Sequence, residues 1–238
     1  MFMGMGIPIP DLSNLPGVSR PGKPGSGGGF EYTTIDNGFS MKFDGSSSYL
    51  QVAESTDVIN DFSNPWSISW WAKWDYTPGF DCFYQFGSTS SPVRYIIAWL
   101  NSTGIGWSVG NSSAVGINYN IATGLNDGNW HHIVFTGNGN TSGSGVINVY
   151  VDGVLNTDTP ISTGATASSS VMNNIGRGFG TTGRFFNGQI DELSIFNVAL
   201  SAGTIQAIYN ATANNSGKVA DLTETPEGLP SAWYRMGD

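Results

Sequence analysis

The chain reads as an all-β protein, a two-sheet antiparallel β-sandwich with one short helix and extended terminal arms. Three observations predict this. Short runs of alternating apolar residues recur about every ten residues, separated by Gly, Ser and Asn. Charged residues make up only 11% of the chain while glycine contributes 33 of its 238 residues, so solubility rests on small polar turns. Helical periodicity is confined to a single segment. A sandwich of this length commonly forms one domain with a full core.

Residues 1–29 form a Pro/Gly-rich arm. Pro8, Pro10, Pro16, Pro21 and Pro24 favour extended geometry, and Gly25-Ser26-Gly27-Gly28-Gly29 loosens the junction. An apolar tip on such an arm invites docking, with a disordered terminus as the plain alternative. Met1 to Ile9 lacks a basic n-region and is not read as a signal peptide. A protein of this kind working outside a cell is expected to leave by lysis or within a particle.

The sandwich is expected over residues 30–212. Phe39-Ser40-Met41-Lys42-Phe43 and Tyr49-Leu50-Gln51-Val52, joined by Asp44-Gly45-Ser46-Ser47-Ser48, read as a hairpin-like pair. Ser67 to Trp74 is the clearest strand, with Ile68, Trp70, Ala72 and Trp74 on one face. Shorter runs follow at Phe83–Phe86, Tyr95–Leu100, Gly106–Val109 and Gly116–Tyr119. Trp130–Thr136 and Val146–Val151, closed by Asp152-Gly153, make a second hairpin.

The strand that organises the chain is Phe186–Phe196. Ile190 shares parity with Phe186 and Phe196, whereas Leu193 and Ile195 fall on the other parity. A phase slip inside a strand predicts a β-bulge, here beside Asp191. Ser201 then caps a helix running to about Ala211, with Leu200 stapled to Ile205 and a stripe of Ile205, Ile208 and Tyr209. Residues 213–238 form a C-terminal extension ending in a strand, Ala232-Trp233-Tyr234-Arg235-Met236.

Composition excludes several functions. The formal charge is −9 with nine scattered Lys and Arg, so nothing forms a basic stripe for nucleic acid. No stretch reaches membrane-spanning length. Cys82 is the one cysteine, read as a small half-buried side chain rather than a nucleophile. His131 and His132 should diverge as strand neighbours, so they do not share a metal. Gly178-Phe179-Gly180-Thr181-Thr182-Gly183 lacks the helix a dinucleotide site needs and reads as a loop. The Asn101, Asn111 and Asn140 sequons are expected by chance in so Asn/Ser-rich a chain. Of the tryptophans, Trp70 and Trp74 belong to the core, while Trp71 and Trp107 are the better candidates for exposure.

Five motifs in order, Met41-Lys42-Phe43-Asp44-Gly45 with Tyr49–Val52, Ser67-Ile68-Ser69-Trp70-Trp71, Trp130-His131-His132-Ile133-Val134, Val149-Tyr150-Val151-Asp152-Gly153, and Phe186-Asn187-Gly188-Gln189-Ile190-Asp191-Glu192 before Ala199-Leu200-Ser201, resemble those of laminin-G-like, concanavalin A-like domains. The resemblance covers about residues 39 to 211. It implies a jelly roll of two antiparallel sheets, one of them concave. Such domains usually open with a small-aromatic-aromatic-basic-apolar strand, which the N-terminal arm lacks and Ala232–Met236 supplies. That strand is expected either to complete its own sandwich or to join a neighbouring subunit.

The resemblance also implies a structural calcium. Asp191 matches the Asp of the Phe-Asn-Gly-x-Ile-Asp motif, with the Gly45 carbonyl as partner and further oxygens needed to fill the shell. The plain alternative is that Asp191 and Asp44 accept turn amides. Some enzymes share this fold, but Asp191 and Glu192 are adjacent and do not supply the spaced carboxyl pair of a glycosidase. The Pro/Gly-rich arm joined to such a module also resembles structural proteins of tailed phages, in which such domains decorate the particle. The leading expectation is therefore a non-enzymatic virion decoration protein on a particle surface, bound to other virion proteins and to copies of itself, with glycans as a further partner. The alternative is a free carbohydrate-binding lectin, and a glycan hydrolase ranks last.

Overall fold

The computed structural model describes residues 30–52, 64–76, 78–88, 94–102, 104–111, 115–121, 123–139, 146–160, 173–178, 184–214 and 216–236. The arm of residues 1–29, the Asn140 sequon and residues 179–183 of the glycine loop lie outside them. In chain order the strands are β1 (Thr34–Asp36), β2 (Met41–Asp44), β3 (Leu50–Gln51), β4 (Trp66–Lys73), β5 (Phe80–Ser88), β6 (Arg94–Asn101), β7 (Gly104–Asn111), β8 (Val115–Ile121) and β9 (Trp130–Gly137). They continue as β10 (Val146–Val151), β11 (Val154–Pro160), β12 (Asn174–Ile175), β13 (Arg177–Gly178), β14 (Arg184–Phe185) and β15 (Asn187–Phe196). After the helix α1 (Ala202–Ala213) come β16 (Lys218–Ala220) and β17 (Ala232–Tyr234).

Two sheets face each other. The back sheet runs β11-β10-β9-β4-β15-β17, with β2 also on β15; the front sheet runs β13-β14-β5-β6-β7-β8, with β12 attached at β5 and β3 on β12. Inward residues of both fill one core, including Phe43, Ile68, Trp70, Phe83, Tyr84, Ala98, Trp107, Phe135, Ile190, Leu193 and Ile195. Trp70 sits at its centre, edge-on to Tyr84 and Phe135 at 5.1 Å each. Such aromatic pairs contribute about 0.5–1.5 kcal/mol beyond burial.

The bulge is where the alternation puts it. Asp191 faces Trp71 and Ser194 faces Ser69, so Glu192 and Leu193 stand opposite Trp70 alone. Glu192 takes a left-handed φ of 51°, a conformation that costs a non-glycine residue roughly 1–2 kcal/mol. The slip returns Leu193 and Ile195 to the core face and turns Phe196 outward under the helix. On its far edge β15 changes partner across the bulge, pairing β2 before it and β17 after it. The C-terminal strand thus completes its own sandwich.

Two expectations need correcting. β2 and β3 are not a hairpin: β2 pairs β15 in the back sheet and β3 pairs β12 in the front sheet. Asp44 makes the corner between them, its carboxylate accepting the amides of Ser46, Ser47 and Ser48. Asp152-Gly153 does not simply end β10. Both have positive φ, 51° and 78°, the mark of a type I′ turn, and the chain returns as β11.

A second layer covers the back sheet. Helix α1 is capped by the Ser201 side chain, which accepts the Thr204 amide, and Leu200 and Ile205 share its apolar cluster. Val134 is buried in this outer cluster with Tyr150, Phe196, Ile205, Ile208 and Leu222. The tail is woven in: β16 pairs β1, and the Glu227 carboxylate accepts the Ser201 amide and the Thr204 hydroxyl at the helix N-terminus, where the dipole favours an anion.

Candidate functional site

The residues singled out for metal do not converge. Gly45 donates its amide to the Phe186 carbonyl, while Asp191 lies five residues further along the same strand. At strand rise that separates them by roughly 16 Å, too far for one ion. Asp191 instead accepts the Glu192 amide at 2.8 Å and the Asn37 side-chain amide at 2.9 Å. Glu192 accepts the Trp233 indole N–H at 2.6 Å and stands 3.5 Å from Arg235 Nε, and the Arg235 guanidinium donates to the Asp36 carbonyl. The acidic pair is therefore a buried knot joining the segment before β2, the bulge and the C-terminal strand.

Trp71 and Trp107 are both buried, at 7% and 1% exposure. Trp107 points into the core, and Trp71 forms a cluster of near-parallel rings with His132 at 5.0 Å and Tyr209 of the helix at 5.9 Å, those two being 6.4 Å apart. Outward parity on β4 identified the face of Trp71 but not what covers it. His132 is buried against Ser69 Oγ at 2.8 Å, and burial pushes its pKa down to about 3. His131 diverges from it, as neighbours on a strand must. Its ring nitrogens lie 2.9 Å from Asp152 Oδ2 and 3.1 Å from Asp127 Oδ1, and its pKa is raised, chiefly by the Asp152 bond. Cys82 is fully buried rather than half-buried, and burial raises its thiol pKa far from a thiolate.

The side chains that sequence reasoning missed lie on the outer face of the front sheet. Register settles the face: Tyr84, Ala98 and Trp107 stand side by side pointing inward, so Cys82, Trp99 and Gly106 in the adjacent row point outward. The Trp99 indole lies flat on Gly106, where a Cβ would fall 2.3 Å from its nitrogen. Phe80, two residues before Cys82, stacks on Trp99 at 5.4 Å and 15°, and Arg184 Cζ sits 3.7 Å from the Phe80 ring centre. Nearby, Arg177 Cζ lies 4.8 Å over Tyr49 and 5.3 Å over Phe185, and those two rings are 6.2 Å apart. Tyr49 is 38% exposed, Arg184 is exposed, and Phe80, Phe185 and Arg177 are half-buried. Asp81 borders the stripe; burial raises its pKa, opposed by the Tyr76 hydroxyl at 2.5 Å and by the charge of Arg184.

Two sheets packed face to face over one shared core define the jelly-roll sandwich class. The family model described as the concanavalin A-like lectin/glucanases superfamily, a laminin G family, matches residues 44–206. The chain belongs to this family. No curated protein sequence matches it. Among solved structures it is similar to a Bacteroides ovatus protein to which carbohydrate binding is ascribed, with 17% identity and a TM-score of 0.55 over 87% of this chain and 52% of that one. It is also similar to the CBM40 of a Ruminococcus gnavus IT-sialidase, which has been solved bound to α2,3 sialyllactose. There identity is 9% and the TM-score 0.53, over 74% of this chain and 98% of the free CBM40. The binding domain of botulinum neurotoxin DC, solved with rat synaptotagmin II, gives 14% and 0.50 over 76% and 46%. The chain spans about half the length of the Bacteroides protein. At these identities the likeness is one of fold.

Proposed function

We propose that this chain is a non-catalytic carbohydrate-binding module whose ligand lies on the outer face of the front sheet. The observation that carries the reading is the stripe of Tyr49, Phe185 and Phe80, the last stacked on the buried Trp99, interleaved with Arg177 and Arg184. Aromatic rings present apolar surface to the C–H faces of sugars, and arginines give fixed hydrogen-bond donors to their oxygens. The family and the carbohydrate-associated solved structures support the same reading. It takes precedence over a particle-surface role, because the family and the carbohydrate-associated solved structures point to glycans and the C-terminal strand pairs within its own chain. Asp191 and Glu192 are engaged in the knot on the back sheet, a structural use of both carboxylates.

The test is a glycan array probed with the full chain, with hits followed by calorimetry on wild type and Tyr49→Ala. Binding that the substitution weakens by about tenfold supports the reading, the scale expected for one lost stacking platform. A folded protein that binds no glycan on the array overturns it.

A further inference from the structure

The rings on the front face are not bare. Phe80 has Trp99 stacked on it and Arg184 over it, and Arg177 lies over both Tyr49 and Phe185. A ligand approaching this stripe meets guanidinium groups as well as ring faces. A guanidinium held over a ring is restrained in position, and its planar fork of N–H donors matches a carboxylate or sulfate better than a neutral hydroxyl. The rest of the protein accentuates the contrast. With a formal charge of −9 it repels anions in general, so two arginines one short strand apart are a local exception. Their placement is built into the fold: Arg177 faces Phe185 across the β13–β14 pair, and Gly178 faces Arg184. β14 is held against β5 at Cys82, beside Phe80.

We infer that the front face selects acidic glycans, those carrying carboxylate or sulfate groups, through Arg177 and Arg184 held over Tyr49, Phe185 and Phe80. This rests on the carbohydrate-binding reading above and narrows its ligand class. Three sets of probes separate the two ideas: oligogalacturonates, the same oligomers with their carboxyls reduced to alcohols, and a sulfated oligosaccharide with its desulfated parent. Binding of each to the full chain is measured by calorimetry at low and at high salt.

The expected result is that one or both acidic probes bind at least about tenfold tighter than their neutral counterparts, with the preference shrinking as salt rises. Which acidic probe wins identifies the anion. Arg177→Gln and Arg184→Gln should each reduce the preference for acidic over neutral probes by about tenfold. Arg184→Lys, which keeps the charge but loses the fork, should retain only part of the preference. Lys218→Gln, which removes an equal charge on β16, should change nothing. Equal affinity for acidic and neutral probes overturns the inference while leaving the carbohydrate reading intact. If no probe and no arrayed glycan binds a chain shown to be folded by its circular dichroism, both fall together.

Discussion

On the back sheet, the side chains that alternate away from the core include Ser67, Ser69, Trp71, His132 and Val134, and all are buried under helix α1 and the tail. On the front sheet, the stripe of Tyr49, Phe80, Phe185, Arg177 and Arg184 keeps partial or full exposure. Both faces start from the same strand alternation. What separates them is the company each residue keeps. The small outward serines of β4 let the covering segment approach, and its polar groups find partners: Ser67 Oγ donates to the Val198 carbonyl and accepts the Leu200 amide, while Ser69 Oγ bonds His132. The front face instead stacks arginines on rings, an arrangement suited to meeting a ligand.

The comparison can be broken from the sealed side first. Truncation after Gly228 removes β17, strips Leu193 and Ile195 of their edge partner and removes Trp233, Arg235 and the core residue Met236. We expect it to unfold the domain or to cost at least about 4 kcal/mol in urea melts, a large share of a typical stability. An unchanged midpoint would mean the knot at the bulge holds nothing. Trp71→Ala should cost about 3–5 kcal/mol by leaving a cavity beside His132 and Tyr209, and should leave glycan affinity unaltered. Loss of binding without loss of stability would reverse the roles assigned to the two faces.

Acid provides a gentler probe of the same seal. The folded pKa of His132 is about 3 against an ordinary 6.5, so in that window the unfolded chain takes up a proton that the native one refuses. Stability contributed by His132 is complete above pH 6.5 and falls as pH drops towards 3, by up to about 1.4 kcal/mol per unit. His131 has the opposite sign. Its raised pKa means that its contribution is full below 6.5 and fades as pH rises through the folded value. Urea melts across pH on wild type and His132→Gln should show the acid slope flattened in the variant. A slope identical in both would contradict a neutral, sealed His132.

The smallest stability effect belongs to the open face. Tyr49→Ala should change stability by less than about 0.5 kcal/mol, as surface substitutions usually do, while weakening sugar binding. A large loss of stability would make Tyr49 part of the frame.

Much of the frame was legible in the residues. Ile190 against Leu193 and Ile195 located the bulge, because one slipped residue reverses every side chain after it. Ser201 marked the helix start, and the aromatic-basic pattern of Ala232–Met236 marked the strand that completes the sheet. The corner at Asp44 was misread because an Asx turn joins strands of one sheet or of two with the same residues. The strand β11 was overlooked although Asp-Gly is a strong hairpin signal. The stripe was the least visible part, since Tyr49, Phe80, Arg177 and Arg184 come from separate strands and meet only when β14 docks on β5. One clue was available: Phe185 and Phe186 are chain neighbours, and with Phe186 committed to the core, Phe185 at the end of β14 faces out.

The most direct test of the account is an NMR titration of isotope-labelled full chain with the tightest glycan from the array. The account predicts that shifts cluster at Tyr49, Phe80, Arg177, Arg184 and Phe185, with Trp71, His132 and helix α1 unmoved. Shifts centred on Trp71, His132 and the helix, with the front face silent, would contradict it.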